Sequence, residues 1–94
     1  MRYLHTMVRV TDIDASLNFY CNLLGLKEMR RIDRPEHKYS LVFVAAEKTP
    51  DAEIELTYNH DPEEYAGGRN FGHLAFEVDD IYATCERLQA AGVK

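Results

Sequence analysis

Residues 3–10 alternate along the chain: Leu4, Thr6, Val8 and Val10 fall on one side and Tyr3, His5, Met7 and Arg9 on the other, which predicts a strand with one apolar and one mixed face. The period then lengthens. Ile13, Leu17, Tyr20 and Leu24 recur at helical spacing, Thr11 or Asp12 can cap the first turn, and Gly25 supplies a stop, so a helix packed on one side follows. Residues 26–32 read as a short strand and Pro35-Glu36-His37 as a turn. Residues 39–45 form a more apolar, better buried strand that ends before Thr49-Pro50-Asp51. Residues 52–58 alternate again, with Ile54, Leu56 and Tyr58 on one face and Glu53, Glu55, Thr57 and Asn59 on the other. A polar loop with Asp61-Pro62 and Gly67-Gly68 spans residues 60–70, residues 71–78 return to strand, and Asp79 or Asp80 opens a helix carrying Ile81, Cys85, Leu88 and Ala91 toward its partner before Gly92. The order is βαβββ followed by βα, an α+β class with mixed sheets.

The pattern also repeats. Residues 4–13 realign with residues 72–81 at an offset of 68, which puts His5 on His73. Both copies continue into a helical segment closed by Gly-apolar-Lys, Gly25-Leu26-Lys27 in the first and Gly92-Val93-Lys94 in the second. The expected organisation is a first βαβββ module over residues 1–60, a linker loop over 61–70, and the truncated start of a second module over 71–94. An incomplete module would leave a sheet edge and an apolar helix face uncovered, so a longer native protein or a second subunit is expected to cover them.

Composition narrows the class of function. With 94 residues and 46% apolar content the chain suffices for one small domain. A net charge of −5 without a basic run argues against nucleic acid, while scattered arginines remain available to an anionic small ligand. The N-terminus lacks the apolar core of a signal peptide and no stretch reaches membrane-spanning length, so a cytoplasmic protein with no membrane partner is expected. Cys21 and Cys85 fall on helical segments and are expected as free thiols.

Three polar residues stand out against this background. Glu55 sits in a segment otherwise suited to a buried strand, where carboxylates seldom occur unless paired or bound to a metal. His5 and His73, also on mixed strand faces, supply imidazole nitrogens, and two histidines with a carboxylate form a common divalent-metal shell. Taken singly, a strand histidine is usually structural and Glu55 could face solvent on a half-exposed sheet; the equivalence of the two histidines favours a site. Arg9 lies four residues beyond His5 and Asn59 four beyond Glu55, each about 13 Å along the same strand face, while Arg69 lies four before His73. The guanidiniums could take an anionic substrate tail, or they are solvated surface charges. His37 and His60 fall in loops and are expected at the surface.

The strings His5-Thr6-Met7-Val8-Arg9-Val10, Asn18-Phe19-Tyr20 with Leu24-Gly25, Lys38-Tyr39-Ser40-Leu41-Val42-Phe43, Glu55-Leu56-Thr57-Tyr58-Asn59 and Phe71-Gly72-His73-Leu74 resemble glyoxalase I, the lactoylglutathione lyases of the vicinal oxygen chelate superfamily. The resemblance spans nearly the whole chain. It implies paired βαβββ modules of the glyoxalase/bleomycin-resistance/dioxygenase fold, a homodimer, and a divalent metal held by His5, Glu55 and His73, with Arg9, Asn59 and Arg69 on the glutathione part of the substrate. A histidine at the first ligand position resembles the bacterial subgroup that prefers nickel or cobalt, so Ni²⁺ is expected, with Co²⁺ or Zn²⁺ as alternatives. The implied reaction converts the hemithioacetal of methylglyoxal and glutathione to S-lactoylglutathione. This is a proton shuttle between adjacent carbons, in which Glu55 is the one metal-site carboxylate the chain offers and glutathione the co-substrate. The family's second glutamate would fall near position 123 by the same offset, beyond Lys94, so the chain as given is expected to be a fragment lacking activity by itself. Rival expectations are an Fe²⁺ extradiol dioxygenase, which would not require Glu55, and a metal-free module that sequesters a ligand as bleomycin-resistance proteins do.

Overall fold

In the computed structural model, which describes residues 1–94, β1 (His5–Val10) leads into Asp12, whose carboxylate accepts a hydrogen bond from the amide of Ala15 at 3.0 Å and caps α1 (Ile13–Leu17). The expected helix is present, but its second half, Asn18–Leu23, is wound as a π-helix: the Leu24 amide reaches back to the Phe19 carbonyl at 2.9 Å. Through the wider turn Leu17, Tyr20, Cys21 and Leu24 all pack against the core. Gly25 then takes φ +87°, a left-handed conformation that ends the helix.

Strand β2 (Lys27–Arg34) runs two residues further than the apolar pattern indicates, because its outer half pairs with β3 (Tyr39–Ala45) through polar positions. A 3₁₀ turn, Pro35–His37, joins them, and Lys38 closes it in the left-handed region at φ +58°. Strand β4 (Glu53–Asn59) completes a four-stranded sheet of order β1-β4-β3-β2, in which only the β1–β4 pair is parallel. The class is therefore α+β with a mixed sheet, as the element order predicts.

Strand alternation divides the sheet into two unlike faces. One face turns Val42, Val44, Ile54 and Leu56 inward, and with Leu26 they form the core under α1 and the π-helical turns. The register places His5, Met7, Arg9, Glu53, Glu55, Phe43 and Arg30 on the other face. That face carries no helix.

The second copy of the repeat departs from expectation. Residues 71–78 form no strand, although they alternate as one, and no backbone hydrogen bond joins them to the sheet. A strand exists only where a neighbour takes up its N–H and C=O groups, and the chain provides none for this segment. Helix α2 (Ile81–Ala90) does form, capped by the Asp80 carboxylate on the Ala83 amide at 3.0 Å. Its expected inward stripe is met only at Leu88: Ile81, Cys85 and Ala91 are exposed, and Thr84 is the other half-buried position. Lacking a sheet of its own, α2 leans on the first module, where the Arg87 guanidinium donates to the Leu23 carbonyl.

Candidate functional site

The parallel β1–β4 ladder pairs His5 with Glu53 and Met7 with Glu55, so His5 and Glu55 are diagonal neighbours on the uncovered face. The diagonal closes across the strands: His5 Nε2 lies 2.7 Å from Glu55 Oε2. The Glu55 side chain is only 14% exposed, and its other oxygen accepts a hydrogen bond from Thr57 Oγ1 at 3.1 Å. The carboxylate is thus fixed at both oxygens. His5 Nδ1 is buried and has no hydrogen-bond partner. A buried polar atom left unpaired disfavours folding, so this imidazole is a candidate for a role beyond packing.

Beneath the pair lies Phe43, the register partner of Glu55 and 3% exposed. Its ring meets the His5 imidazole edge-on, with centroids 5.4 Å apart and planes at 80°. The Arg30 guanidinium stacks over Phe43 at 3.7 Å from the centroid and continues to Glu53, with nitrogen–oxygen distances of 3.2 and 3.4 Å. Phe43 and Arg30 escape sequence reasoning. Phe43 reads as one more apolar residue of a buried strand. Arg30 would share the side of Glu28 by simple alternation, but a bulge between Glu28 and Arg30 turns it onto the face of Phe43.

The remaining candidate residues are distributed unevenly. Arg9 is exposed on β1, on the face of His5, and Asn59 ends β4 on the face of Glu55 with its amide 3.4 Å from the Tyr65 hydroxyl. Arg69 is exposed in a turn and makes no hydrogen bond or ion pair. His73 is exposed in the unpaired segment 71–78, and no group of three His, Cys, Asp or Glu side chains gathers anywhere in the chain. The structure therefore brings His5 and Glu55 together and leaves His73 apart. His37 is exposed as expected, but His60 is half-buried, its Nε2 2.9 Å from Ser40 Oγ. Both cysteines are free; burial, reinforced by the Glu28 carboxylate, raises the Cys21 thiol above its ordinary range.

The donor chemistry of the pair fits a divalent cation. His5 Nε2 and Glu55 Oε2, 2.7 Å apart, are a nitrogen and an oxygen donor that one divalent cation could share. An imidazole and a carboxylate on adjacent strands would form one edge of such a shell, and further donors would have to complete it.

Comparison with known proteins agrees along the whole chain. The family model described as the Glyoxalase/Bleomycin resistance protein/Dioxygenase superfamily matches residues 2–94. A protein named lactoylglutathione lyase from Haemophilus influenzae is 50% identical over 93 residues, which are 98% of this chain and 69% of that protein. Among solved structures, the trypanothione-dependent glyoxalase I of Leishmania major superposes with a TM-score of 0.89 at 38% identity, over 98% of this chain and 67% of that one. Glyoxalase I of Zea mays superposes with a TM-score of 0.88 at 35% identity, over 97% and 33% respectively. The chain spans about two thirds of the bacterial relative's length.

Proposed function

This chain belongs to the glyoxalase/bleomycin resistance protein/dioxygenase superfamily, and from that premise we propose that it is the metal-binding part of a lactoylglutathione lyase. The reaction is the isomerisation of the methylglyoxal–glutathione hemithioacetal to S-lactoylglutathione, a detoxification of methylglyoxal. The observation that carries this reading is the His5–Glu55 contact of 2.7 Å on the uncovered sheet face.

In this reading His5, Glu55 and His73 hold the metal, which is Ni²⁺, with Co²⁺ and Zn²⁺ as the alternatives. When bound, the metal supplies Lewis-acid stabilisation of negative charge developing on the substrate oxygens. The protein's own part is positional. Thr57 holds Oε1 of Glu55 and His5 meets Oε2, so the carboxylate that would carry a proton between adjacent substrate carbons is oriented at both oxygens. Arg9, Asn59 and Arg69 bind the glutathione portion, the guanidiniums offering paired N–H donors to its carboxylates. Residues 1–60 act as the first module, 61–70 as the linker and 71–94 as the start of the second. A cytoplasmic homodimer is the working assembly: β1 has a free edge, and Leu4, Met7, Phe71, Phe76 and Tyr82 are exposed. His73 joins the shell when the segment 71–78 finds a strand partner, which a second copy can offer.

The test is turnover of methylglyoxal and glutathione by the Ni²⁺-loaded protein extended through the glutamate expected near position 123, followed as S-lactoylglutathione formation. Glu55→Gln is expected to abolish it. Undiminished turnover in that variant would overturn the assignment and favour a chemistry that does not use Glu55. Replacing glutathione by trypanothione in the same assay identifies the thiol.

A further inference from the structure

Two side chains cross the uncovered face from opposite edges of the sheet and converge on one ring. Arg30 starts on β2, passes over Phe43 on β3 and ends at Glu53 on β4. His5 starts on β1, spans β4 at Glu55 and reaches Phe43 from the other side of the sheet. Phe43 is therefore sealed between a guanidinium and an imidazole, and this accounts for its 3% exposure on a face without a helix.

We propose that Phe43, held down by the Arg30–Glu53 ion pair, is the positioning device that orients the His5 imidazole toward Glu55. The proposal rests on the reading of His5 as a metal ligand. An imidazole that binds a metal through one nitrogen ordinarily has its ring fixed by a hydrogen bond from the other nitrogen to a carboxylate or carbonyl. His5 lacks that second tether, because Nδ1 is buried without a partner. Its orientation is set instead by the edge-on aromatic contact with Phe43. Phe43 in turn has no covering helix, and its rotamer is restrained from above by Arg30.

The Arg30 guanidinium suits this role in two respects. It is planar, so it can lie flat on an aromatic face, and it can present two nitrogens to one carboxylate, as it does to Glu53. Lysine could keep the charge but neither the planar cover nor the fork. Glu53 is also the register partner of His5, so the ion pair neutralises the carboxylate nearest the imidazole along the ladder. Glu55 is left as the acidic partner that His5 meets.

The experiment compares Arg30→Gln, Arg30→Lys, Phe43→Leu and Phe43→Tyr with the unaltered protein by Ni²⁺ titration calorimetry. The same variants, free of metal and with ¹⁵N-labelled histidine, are compared by NMR of the His5 ring, assigned with His5→Gln. Arg30→Gln and Phe43→Leu are expected to weaken Ni²⁺ binding about 10-fold, the scale of a lost outer-shell contact. Both should also shift the His5 ring resonances by removing or tilting the aromatic ring beside them. Arg30→Lys should recover the affinity only in part, and Phe43→Tyr, which keeps the ring, should bind as the unaltered protein does. Affinities within twofold of the unaltered protein, with unmoved His5 resonances in folded Arg30→Gln and Phe43→Leu, would overturn the proposal. If the unaltered protein takes up no Ni²⁺, the metal reading fails and the NMR comparison alone decides whether Phe43 and Arg30 set the ring. If Phe43→Leu does not fold, the two Arg30 variants and Phe43→Tyr carry the decision.

Discussion

Glu55 Oε2 lies 2.7 Å from His5 Nε2 even though the parallel ladder sets each residue opposite a different partner, Glu55 against Met7 and His5 against Glu53. The contact is diagonal, and it brings a nitrogen and an oxygen donor to one point. His5→Ala is expected to reduce Ni²⁺ affinity by more than the roughly 10–100-fold that loss of an outer-shell contact produces. Titration calorimetry on the folded variant checks this, and unchanged binding would make His5 a structural residue.

The core predicts where the fold is most sensitive. Only seven of 94 residues are buried, and Leu56 is at 0% exposure on the strand between β1 and β3. Leu56→Ala removes a branched side chain from that core and is expected to cost about 2–5 kcal/mol. Total stabilities of small domains run to about 5–15 kcal/mol, so urea denaturation should show a midpoint lowered by a large fraction of its value. Met7→Ala, on the opposite face and 40% exposed, should change the midpoint little.

The two helix caps share a geometry and should differ in effect. Asp12 and Asp80 each accept from the amide three residues on at 3.0 Å. Asp12 starts a helix whose Ile13 and Leu17 pack on the core, so Asp12→Ala is expected to lower global stability by about 1 kcal/mol. Asp80 starts a helix none of whose residues packs on the core. Its loss should appear as faster amide exchange within α2, with the denaturation midpoint nearly unmoved.

Alkaline conditions should act through the helix packed on the core. Burial, then the Glu28 carboxylate, raises the Cys21 thiol above its ordinary value of 9.0, and burial raises the Tyr20 hydroxyl above 10.0. Both groups hold their protons more tightly in the folded chain. The stability linked to this is fully present below the ordinary values and is lost as pH rises through the raised ones. Thermal denaturation from pH 8 upward, at about one-unit steps, should show falling stability, with a shallower slope in Cys21→Ala and shallower again with Tyr20→Phe added. At neutral pH the exposed Cys85 should react with a thiol reagent well before Cys21.

How much of this was legible beforehand follows from what each signal encodes. Alternation predicted β3 to the residue and β4 within one, because turn formers bound both, and the same alternation put His5 and Glu55 on mixed faces. It could not indicate the bulge that carries Arg30 across the sheet, since an inserted residue leaves no mark on composition. Nor does a 3.6-residue period distinguish the π-helical turns of Asn18–Leu23 from an α-helix. The repeat paired the sequences around His5 and His73. Pairing of sequences specifies which residues would face inward, but a strand also needs a neighbour, and that information lies outside the segment itself.

The segment 71–78 makes that distinction measurable. Its amides lack backbone partners while those of β4 are paired on both sides, so exchange should be fast across 71–78 and slow across Glu53–Asn59. If His73 enters the metal shell through strand pairing, two changes should arrive together. Raising protein concentration in the presence of Ni²⁺ should slow exchange at residues 71–78, and sedimentation should show dimer at the same concentrations. His73→Ala should weaken the metal-dependent part of that protection, and the free edge of β1, which offers Leu4 and Met7 beside it, should gain protection in parallel. Protection at β1 without any at 71–78 would show that the edge is covered by something other than this segment and would remove His73 from the site.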